Sequence, residues 1–433
     1  MVIISDLIKE EQKRQEETLM LIPSENYASK EVREAVGSVL MNKYSEGYSG
    51  RRYYQGNKII DEIETFAINK AKELFKVEHV NVQPYSGSPA NAEVLFALLN
   101  PGDTIMGLKL SSGGHLTHGH PDITFSGRFY KSVQFGTKDD GIIDYNEVEN
   151  LARKEKPALM IIGTTAYPLI LDWKKLGEIA DLVGSWLVAD ISHVSGLVLA
   201  GEYPSPVPFT HIVTTTTHKT LRGPRGAMIM VTKKGIEKDP ETASKIDKAV
   251  FPGLQGGPHN GTTAGIAQAL IEADSGDFKK YGKQIVINAR YLAEELKNGG
   301  LTLVTGGTEC HLMVVDLRPI GLSGNIAAEV LEAAGIIVNR NSVPNDPAPP
   351  FYPSGIRLGT PGITTRGMTE PEMKIIAGWI LKVLDHVKDE KLPEVKEKRG
   401  EYIKSFRIKV ANDEFLKNIA SEVRDLCKKF PMP

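Results

Sequence analysis

Short hydrophobic runs alternate with helical patterns through the first two-thirds of the chain. The runs are continuous, as is typical of strands buried on both faces of a mostly parallel sheet. They lie at residues 104–108, 158–162, 186–189 and 227–231. At residues 60–74 hydrophobic residues recur at spacings of three and four, which predicts an amphipathic helix. The pattern therefore predicts an α/β domain.

Polar segments follow three of these predicted strands directly. They occupy residues 111–120, 164–167 and 190–195. In open sheets of this class, ligands bind outside the carboxyl ends of the strands. We therefore expect the three segments to meet in one crevice.

The pattern changes beyond about residue 275. A long helical stretch leads to a strand at 311–316, a helix near 326–334 and a strand at 336–338. Residues 369–372, Thr-Glu-Pro-Glu, predict a capping box that opens another helix. We expect a smaller α+β domain here, and the predicted division is an N-terminal helical arm at 1–47, a large α/β domain at 48–274 and a small domain at 275–433.

Two features near the N terminus complete the predicted elements. Ser5 is predicted to cap a first, highly charged helix. Residues 43–57 contain four tyrosines and no hydrophobic period, so we expect a loop, and loops of this kind usually carry function.

Composition and charge exclude several classes of protein. A chain of 433 residues exceeds what one hydrophobic core normally supports. Its 52 Lys and Arg nearly balance its 54 Asp and Glu, so no basic surface for nucleic acid is expected. The two cysteines, Cys310 and Cys427, are far apart, which favours a reducing compartment without disulfides or a zinc site. The N terminus becomes charged after four residues, so we expect a cytoplasmic protein without a membrane anchor.

The most informative stretch is residues 214–226, Thr-Thr-Thr-Thr-His-Lys-Thr-Leu-Arg-Gly-Pro-Arg-Gly. The β-branched run places Lys219 at a strand end, beside a turn that cannot be helical. A lysine amine that is partly desolvated and close to other cations can lose its proton and attack a carbonyl. We therefore predict that Lys219 holds an aldehyde cofactor as a Schiff base. The alternative is a surface lysine in a polar turn.

Asp190 ends the hydrophobic run Trp-Leu-Val-Ala-Asp. A carboxylate at the mouth of a parallel strand can keep a pyridine nitrogen protonated. On its own, the pattern is equally compatible with a capping or salt-bridged aspartate. Lys219 follows one strand further on, and the pair favours a pyridine cofactor.

Two glycine-rich turns are candidate anion sites. Residues 86–91, Ser-Gly-Ser-Pro-Ala-Asn, precede a predicted helix, whose N terminus can bind a phosphate, although plain helix capping explains them as well. Residues 253–258 form the second turn. No Gly-x-Gly-x-x-Gly or Gly-Lys-Ser/Thr motif occurs, so dinucleotide and P-loop nucleotide sites are disfavoured.

Three histidines and one arginine add further candidates. The spacing of His115, His118 and His120 matches no zinc site, and an aromatic platform for a planar ring is the better interpretation. Arg357 follows a proline-rich loop and is a candidate for bidentate binding of a carboxylate. A structural arginine that ties this loop to the second domain is the alternative.

Together these segments resemble the serine hydroxymethyltransferases, which are fold-type I pyridoxal-phosphate enzymes. The resemblance covers residues 20 to 385 and rests on Asp190 and on residues 24–27, 43–48, 113–119, 214–226, 251–258, 341–347 and 354–361. It implies a large domain with a mostly parallel seven-stranded sheet and a homodimer that shares its active sites. The implied reaction interconverts serine and glycine and passes one carbon to a reduced pterin, of the folate or the methanopterin type.

The resemblance also implies which residues hold the cofactor. Lys219 would form the Schiff base, Asp190 would pair with the pyridine nitrogen, and His115 would stack on the ring. His193 and Thr165 would lie near the phenolic oxygen. The cofactor phosphate would be held by Gly87, Ser88 and His218. A neighbouring subunit would contribute Gly256, Gly257 and Tyr44.

For the substrates, the resemblance implies that Arg357, Ser24 and Tyr54 bind the amino acid carboxylate. Glu46 would transfer the proton at the substrate hydroxyl. The positions that match pterin contacts are Leu110, Gly114, Leu116 and Asn341. Three positions depart from the family pattern: Thr165 stands where the family often has Ser, which keeps the hydroxyl, Pro89 replaces a common Gln, and Leu254 replaces a Gly.

Two other functions compete with this prediction. A threonine-type aldolase on the same scaffold would use no pterin, and residues 341–346 and 113–116 disfavour it. A non-catalytic cofactor-binding or RNA-binding protein is disfavoured because Lys219, Asp190, Glu46 and Arg357 are all present and the charge is balanced.

Overall fold

The structure, a computed structural model, describes residues 3–433. Its strands are β1 Leu19–Met20, β2 Gly47–Tyr48, β3 Arg51–Arg52, β4 His79–Asn81, β5 Thr104–Leu108, β6 Lys131–Phe135, β7 Leu159–Gly163, β8 Trp186–Asp190, β9 Ile212–Thr216, β10 Ala227–Val231, β11 Thr302–Leu303, β12 Leu312–Asp316, β13 Ile336–Ile337, β14 Asn339–Asn341 and β15 Gly355–Gly359.

The α-helices cover both faces of the central sheet and build the C-terminal part. They are α1 Ile4–Glu17, α2 Lys30–Val36, α3 Lys58–Phe75, α4 Gly87–Leu98, α5 Phe125–Phe129, α6 Tyr145–Glu155, α7 Trp173–Leu182, α8 Ser195–Ala200, α9 Lys233–Lys238, α10 Thr242–Lys248, α11 Asn260–Ala273, α12 Gly276–Asn298, α13 Gly324–Ala333, α14 Pro361–Thr365, α15 Glu370–His386, α16 Lys396–Ala411 and α17 Glu414–Lys429. None of the helices among residues 3–433 has the length and hydrophobicity that crossing a bilayer requires.

The central sheet has seven strands in the order β4-β10-β9-β8-β7-β5-β6. β10 runs antiparallel to both of its neighbours, and the strands from β9 to β6 pair in parallel. β7, β9 and β10 are buried along their whole length, which explains their continuous hydrophobic runs. The predicted mostly parallel seven-stranded α/β sheet of fold type I is confirmed.

A second, antiparallel sheet of four strands has the order β11-β12-β15-β14. Its core is separate from that of the large sheet, and α12 runs through both. Phe278 and Ile285 of α12 pack in the first core, whereas Leu292 and Leu296 pack in the second. Leu19 also joins the second core, because β1 pairs with β13. The boundaries 1–47, 48–274 and 275–433 remain a prediction.

Two local predictions were wrong and one is confirmed. α1 begins at Ile4, with Ile3 as the extended residue before it, so Ser5 lies inside the first turn instead of capping it. The predicted loop at 43–57 contains a hairpin, β2–β3, which Gly50 closes with a left-handed φ of 73°. The capping box is present: Thr369 and Glu372 exchange side-chain and backbone hydrogen bonds.

Candidate active site

A cavity of about 500 Å³ lies at the carboxyl edge of the central sheet, where strands of the large sheet and residues of the small sheet meet. The predicted polar segments after β5, β7 and β8 all reach it, as expected from the strand order. The sequence-predicted residues that line it are Ser24, Gly87, Ser88, Leu110, His115, Leu116, Thr165, Asp190, His193, His218, Lys219, Asn341 and Arg357.

Lys219 follows β9, in a turn where the Arg222 amide donates to the Lys219 carbonyl at 3.0 Å. Its Nζ has no hydrogen bond to any residue from 3 to 433. The pKa of Lys219 is lowered to about 8, chiefly by burial; Asp190 opposes the shift, and the cations Arg357 and Arg225 contribute to it. The amine therefore loses its proton far more readily than an ordinary lysine does.

Asp190 lies at the end of β8 with both carboxylate oxygens occupied. Ser192 donates to Oδ1 from its amide at 3.0 Å and from its hydroxyl at 2.5 Å. Asn91 and His118 donate to Oδ2 at 2.9 and 3.0 Å. Burial favours the neutral acid, but these hydrogen bonds, above all that of His118, hold the pKa of Asp190 well below its usual range. The carboxylate is thus ionised in the cavity wall.

The start of α4 and His218 form a cradle for an anion. α4 begins at Gly87, where a Cβ would lie 2.7 Å from the Thr216 methyl group, so only glycine fits. Arg225 donates to His218 Nε2 at 3.0 Å, so the proton of the neutral ring lies on Nδ1. That Nδ1 is buried and has no partner among residues 3–433. Burial lowers the pKa of His218 to about 3.

His115 and Thr165 form another wall of the cavity. The Thr117 amide donates to His115 Nδ1 at 3.2 Å, and burial lowers the pKa of His115 to about 4, so the ring is neutral. The Thr165 hydroxyl donates to the Gly114 carbonyl at 2.9 Å. Gly114 therefore lies directly behind the cavity wall, and its role stays a prediction together with the stacking role of His115.

Arg357 lies on β15 and brings the small sheet to the cavity. Its Nε donates to Asn339 Oδ1 at 3.0 Å, and its Nη1 donates to the Thr165 carbonyl. Burial lowers the pKa of Arg357 to about 10, and the guanidinium remains a cation at neutral pH. With Ser24 on the same cavity, it can bind a carboxylate.

His193 lines the same cavity as Lys219 and pairs with a second buried histidine. His193 Nδ1 and His311 Nε2 are 3.1 Å apart. Burial lowers the pKa of both rings, to about 3 for His311, and the cations Lys219 and Arg357 add to this. Both rings are therefore neutral, and one must donate to the other.

The predicted residues Glu46, Tyr44, Tyr54, Gly256 and Gly257 lie together, but they do not line this cavity. The rings of Tyr44 and Tyr54 are 5.2 Å apart. A Cβ on Gly256 would lie 3.4 Å from a Glu46 carboxylate oxygen, and one on Gly257 would lie 3.0 Å from the Tyr44 ring. We call these five residues the glutamate cluster.

Tyr85 and Ser86 connect the glutamate cluster to the cavity. The Tyr85 hydroxyl donates to the Gly257 carbonyl at 2.8 Å, and the Tyr85 amide donates to Gln255 at 2.8 Å. The next residue, Ser86, already lines the cavity. The cluster and the cavity are thus connected through Tyr85 and Ser86, although they are separate surfaces.

Sequence reasoning did not predict the contacts of several polar residues around the cavity, although it named His118 as part of an aromatic platform. Three of them hold Asp190: Asn91, His118 and Ser192. Two more are Arg225, which contacts His218, and Asn339, which contacts Arg357. Four of the five lie in segments that the sequence analysis named, and Asn339 does not; spacing could not show that Asn91 of α4 bonds the carboxylate at the end of β8.

Comparisons with known proteins agree with this geometry. The family model described as serine hydroxymethyltransferase matches residues 2–380. A serine hydroxymethyltransferase of Acidothermus cellulolyticus is 53% identical over 433 aligned residues, which cover 99% of this chain and 95% of that protein. Those of Desulfotalea psychrophila and Sorangium cellulosum are 51% and 49% identical, with 99% of this chain and 94% and 95% of those proteins covered. The chain belongs to the serine hydroxymethyltransferase family.

Proposed function

We propose that this protein interconverts serine and glycine and transfers the hydroxymethyl carbon of serine to a reduced pterin. The observation that carries the proposal is the Lys219 amine, whose pKa is lowered to about 8, in one cavity with the ionised Asp190 and with Arg357. This chemistry needs three groups: an attacking amine, a carboxylate that pairs with a protonated pyridine nitrogen, and a cation that binds the substrate carboxylate.

The unpartnered groups of the cavity fit pyridoxal phosphate. Lys219 would hold its aldehyde, Asp190 its ring nitrogen, and the start of α4 with His218 Nδ1 its phosphate. When bound, the cofactor supplies a protonated ring that takes up the electron pair released at the amino acid α-carbon. His115 would cover one face of the ring, and His193 and Thr165 would lie near its phenolic oxygen.

In this proposal the chain's own side chains bind and orient serine. Arg357 and Ser24 would bind the carboxylate, which would fix the rotation about the nitrogen–α-carbon bond and so select which bond at the α-carbon breaks. Asn339 and the Thr165 carbonyl hold the guanidinium in place for this. Breaking the carbon–carbon bond then requires a base at the hydroxyl, and we assign this proton transfer to Glu46.

We further propose that a second copy of the chain brings Glu46, Tyr44, Tyr54, Gly256 and Gly257 to the cavity. The support is that these residues lie together outside it in their own chain. Tyr44 is 57% exposed and Tyr54, whose ring packs against it, is 45% exposed, which is a large aromatic surface for a protein to leave in water. The functional unit would therefore be a homodimer with shared active sites.

The pterin would lie against Leu110, Leu116 and Asn341, which line the cavity, with Gly114 behind them. These groups suit a flat ring with polar edges and are compatible with folate-type and methanopterin-type carriers. We propose a reduced pterin of either type and a cytoplasmic enzyme.

The decisive experiment compares Lys219→Ala with Lys233→Ala, which removes an exposed lysine outside the cavity. Serine-dependent glycine formation is measured with each pterin, and borohydride is used to lock bound cofactor to its lysine. Lys219→Ala should abolish multiple turnover and the locked product, while Lys233→Ala keeps both. Normal turnover of Lys219→Ala would refute the role of Lys219, and turnover that needs no pterin would indicate an aldolase instead.

A further inference from the structure

Asn26 is a partly buried hydrogen-bonding centre between four parts of the chain. Its Nδ2 donates to the Lys219 carbonyl at 2.8 Å and to the Tyr281 hydroxyl at 2.6 Å. Its Oδ1 accepts from the Thr365 hydroxyl at 2.7 Å and from the Tyr27 amide at 2.9 Å. Both donors and both lone pairs of the amide are therefore used, so its position and its flip are fixed.

The same contacts hold the turn that carries Lys219. The Lys219 carbonyl accepts from the Arg222 amide as well as from Asn26. Arg222 has a left-handed φ of 64°, which is unusual for a residue other than glycine. Its guanidinium lies 4.6 Å from the centre of the Tyr281 ring. Tyr281 thus supports both ends of the turn, one through Asn26 and one through Arg222.

Asn26 also connects this turn to the substrate side of the cavity. Ser24 and Glu25, immediately before it, line the same cavity as Lys219. Thr365 ends α14, which follows β15, the strand of Arg357. The Asn26 side chain therefore connects the turn of Lys219 to the two segments that carry Ser24 and Arg357, the proposed ligands of the substrate carboxylate.

We propose that Asn26 is a positioning residue for Lys219. It does not contact the reacting atoms; it holds the Lys219 carbonyl, and so sets the direction in which a long and flexible side chain enters the cavity. This inference rests on the proposed role of Lys219 as the residue that holds the cofactor.

Asn288 offers a matched control for this role. This asparagine lies on α12 and is more deeply buried than Asn26, and its Nδ2 donates to the Thr364 hydroxyl and to the Met368 carbonyl, each at 2.9 Å. It therefore makes the same kinds of bond, to the residue next to Thr365, without touching the lysine turn.

The experiment compares Asn26→Asp with Asn288→Asp, since each keeps the side-chain shape and removes the two donors. Cofactor-free protein is mixed with pyridoxal phosphate, borohydride is added at intervals, and the modified Lys219 peptide is counted by mass spectrometry. Melting temperature, kcat and the KM for serine are measured in parallel. Both variants should melt lower, but only Asn26→Asp should slow the modification of Lys219 and lower kcat, by about tenfold or more.

Thr365→Ala is the milder variant if Asn26→Asp does not fold, because it removes only one donor to Asn26, and it should slow the modification less. An unchanged modification rate in Asn26→Asp or Thr365→Ala would overturn the inference. Equal slowing in Asn288→Asp would also overturn it, because the effect would then follow stability. Modification of a different lysine in the unaltered protein would overturn the role of Lys219 itself.

Discussion

At the scale of single residues, the candidate site works by placing ordinary side chains in unusual surroundings. The Lys219 amine makes no hydrogen bond within residues 3–433 and lies near the cations Arg357 and Arg225. Asp190, in contrast, accepts hydrogen bonds on both carboxylate oxygens. The first arrangement favours the neutral amine and the second favours the charged carboxylate. The two groups therefore have opposite roles at the same pH.

The reactivity of Lys219 should follow its lowered pKa. Only the unprotonated amine attacks an aldehyde. In cofactor-free protein the rate at which Lys219 combines with pyridoxal phosphate should therefore rise with pH, with a midpoint at about 8. Arg225→Gln removes a cation and should move this midpoint upward, and Asp190→Asn removes an anion and should move it downward. Stopped-flow absorbance from pH 6 to 11 measures the midpoints. A midpoint that neither variant moves would contradict this electrostatic account.

At the scale of elements, the neighbouring ends of two parallel strands position the carboxylate. Gly163 at the end of β7 is in register with Asp190 at the end of β8. A Cβ on Gly163 would lie 2.3 Å from the Asp190 carbonyl oxygen and 2.7 Å from its Cβ. A glycine is therefore required here by close approach, and any side chain would have to push the two strands apart.

Gly163→Ala should accordingly lower both stability and cofactor binding. Overpacking of this kind costs about 1–3 kcal/mol, and the shifted Asp190 would fit the cofactor ring less well. Gly378→Ala, on α15 with no atom within 4 Å of the added methyl group, is the control. It should be neutral or stabilise by up to about 1 kcal/mol. The melting temperature and the amount of cofactor that each purified variant retains are measured. A Gly163→Ala protein that matches the control in both would contradict the close approach of Gly163 to Asp190.

At the scale of the whole molecule, the candidate catalytic groups are divided between two surfaces. Lys219, Asp190 and Arg357 lie in the cavity, whereas Glu46 lies in the glutamate cluster outside it. A base that handles the substrate hydroxyl must come within hydrogen-bonding distance of it. The division is therefore the main reason to propose a shared active site.

Mixing two inactive variants tests the shared site directly. Lys219→Ala and Glu46→Gln should each lose most activity alone, because each lacks one group at every site. When the chains are unfolded together and refolded, random pairing should restore roughly a quarter of the sites, since half of the dimers hold one intact site. Light scattering confirms that dimers form. Mixed dimers without recovered activity would mean that Glu46 does not act across the subunit boundary.

The amino acid sequence by itself determined the local elements and the chemistry available to them. Continuous hydrophobic runs identified β5 and β10, and the Thr369 capping box identified the start of α15, because these signals depend only on neighbouring residues. The segments that hold Lys219, Asp190 and Arg357 were also recognised, since their residue types limit the chemistry. The hairpin β2–β3 was missed because two-residue strands leave no periodic signal.

Only the tertiary structure decided which of these groups meet. Asn91 bonds Asp190 from 99 positions away, and Asn26 bonds the Lys219 carbonyl from 193 positions away. Such contacts depend on how helices and strands pack, and a local pattern carries no information about them. The structure likewise separated Glu46 from the Lys219 cavity within one chain, although both belong to motifs of the same family. Sequence therefore specified the reactive groups, while packing set their distances, their burial and hence their pKa values.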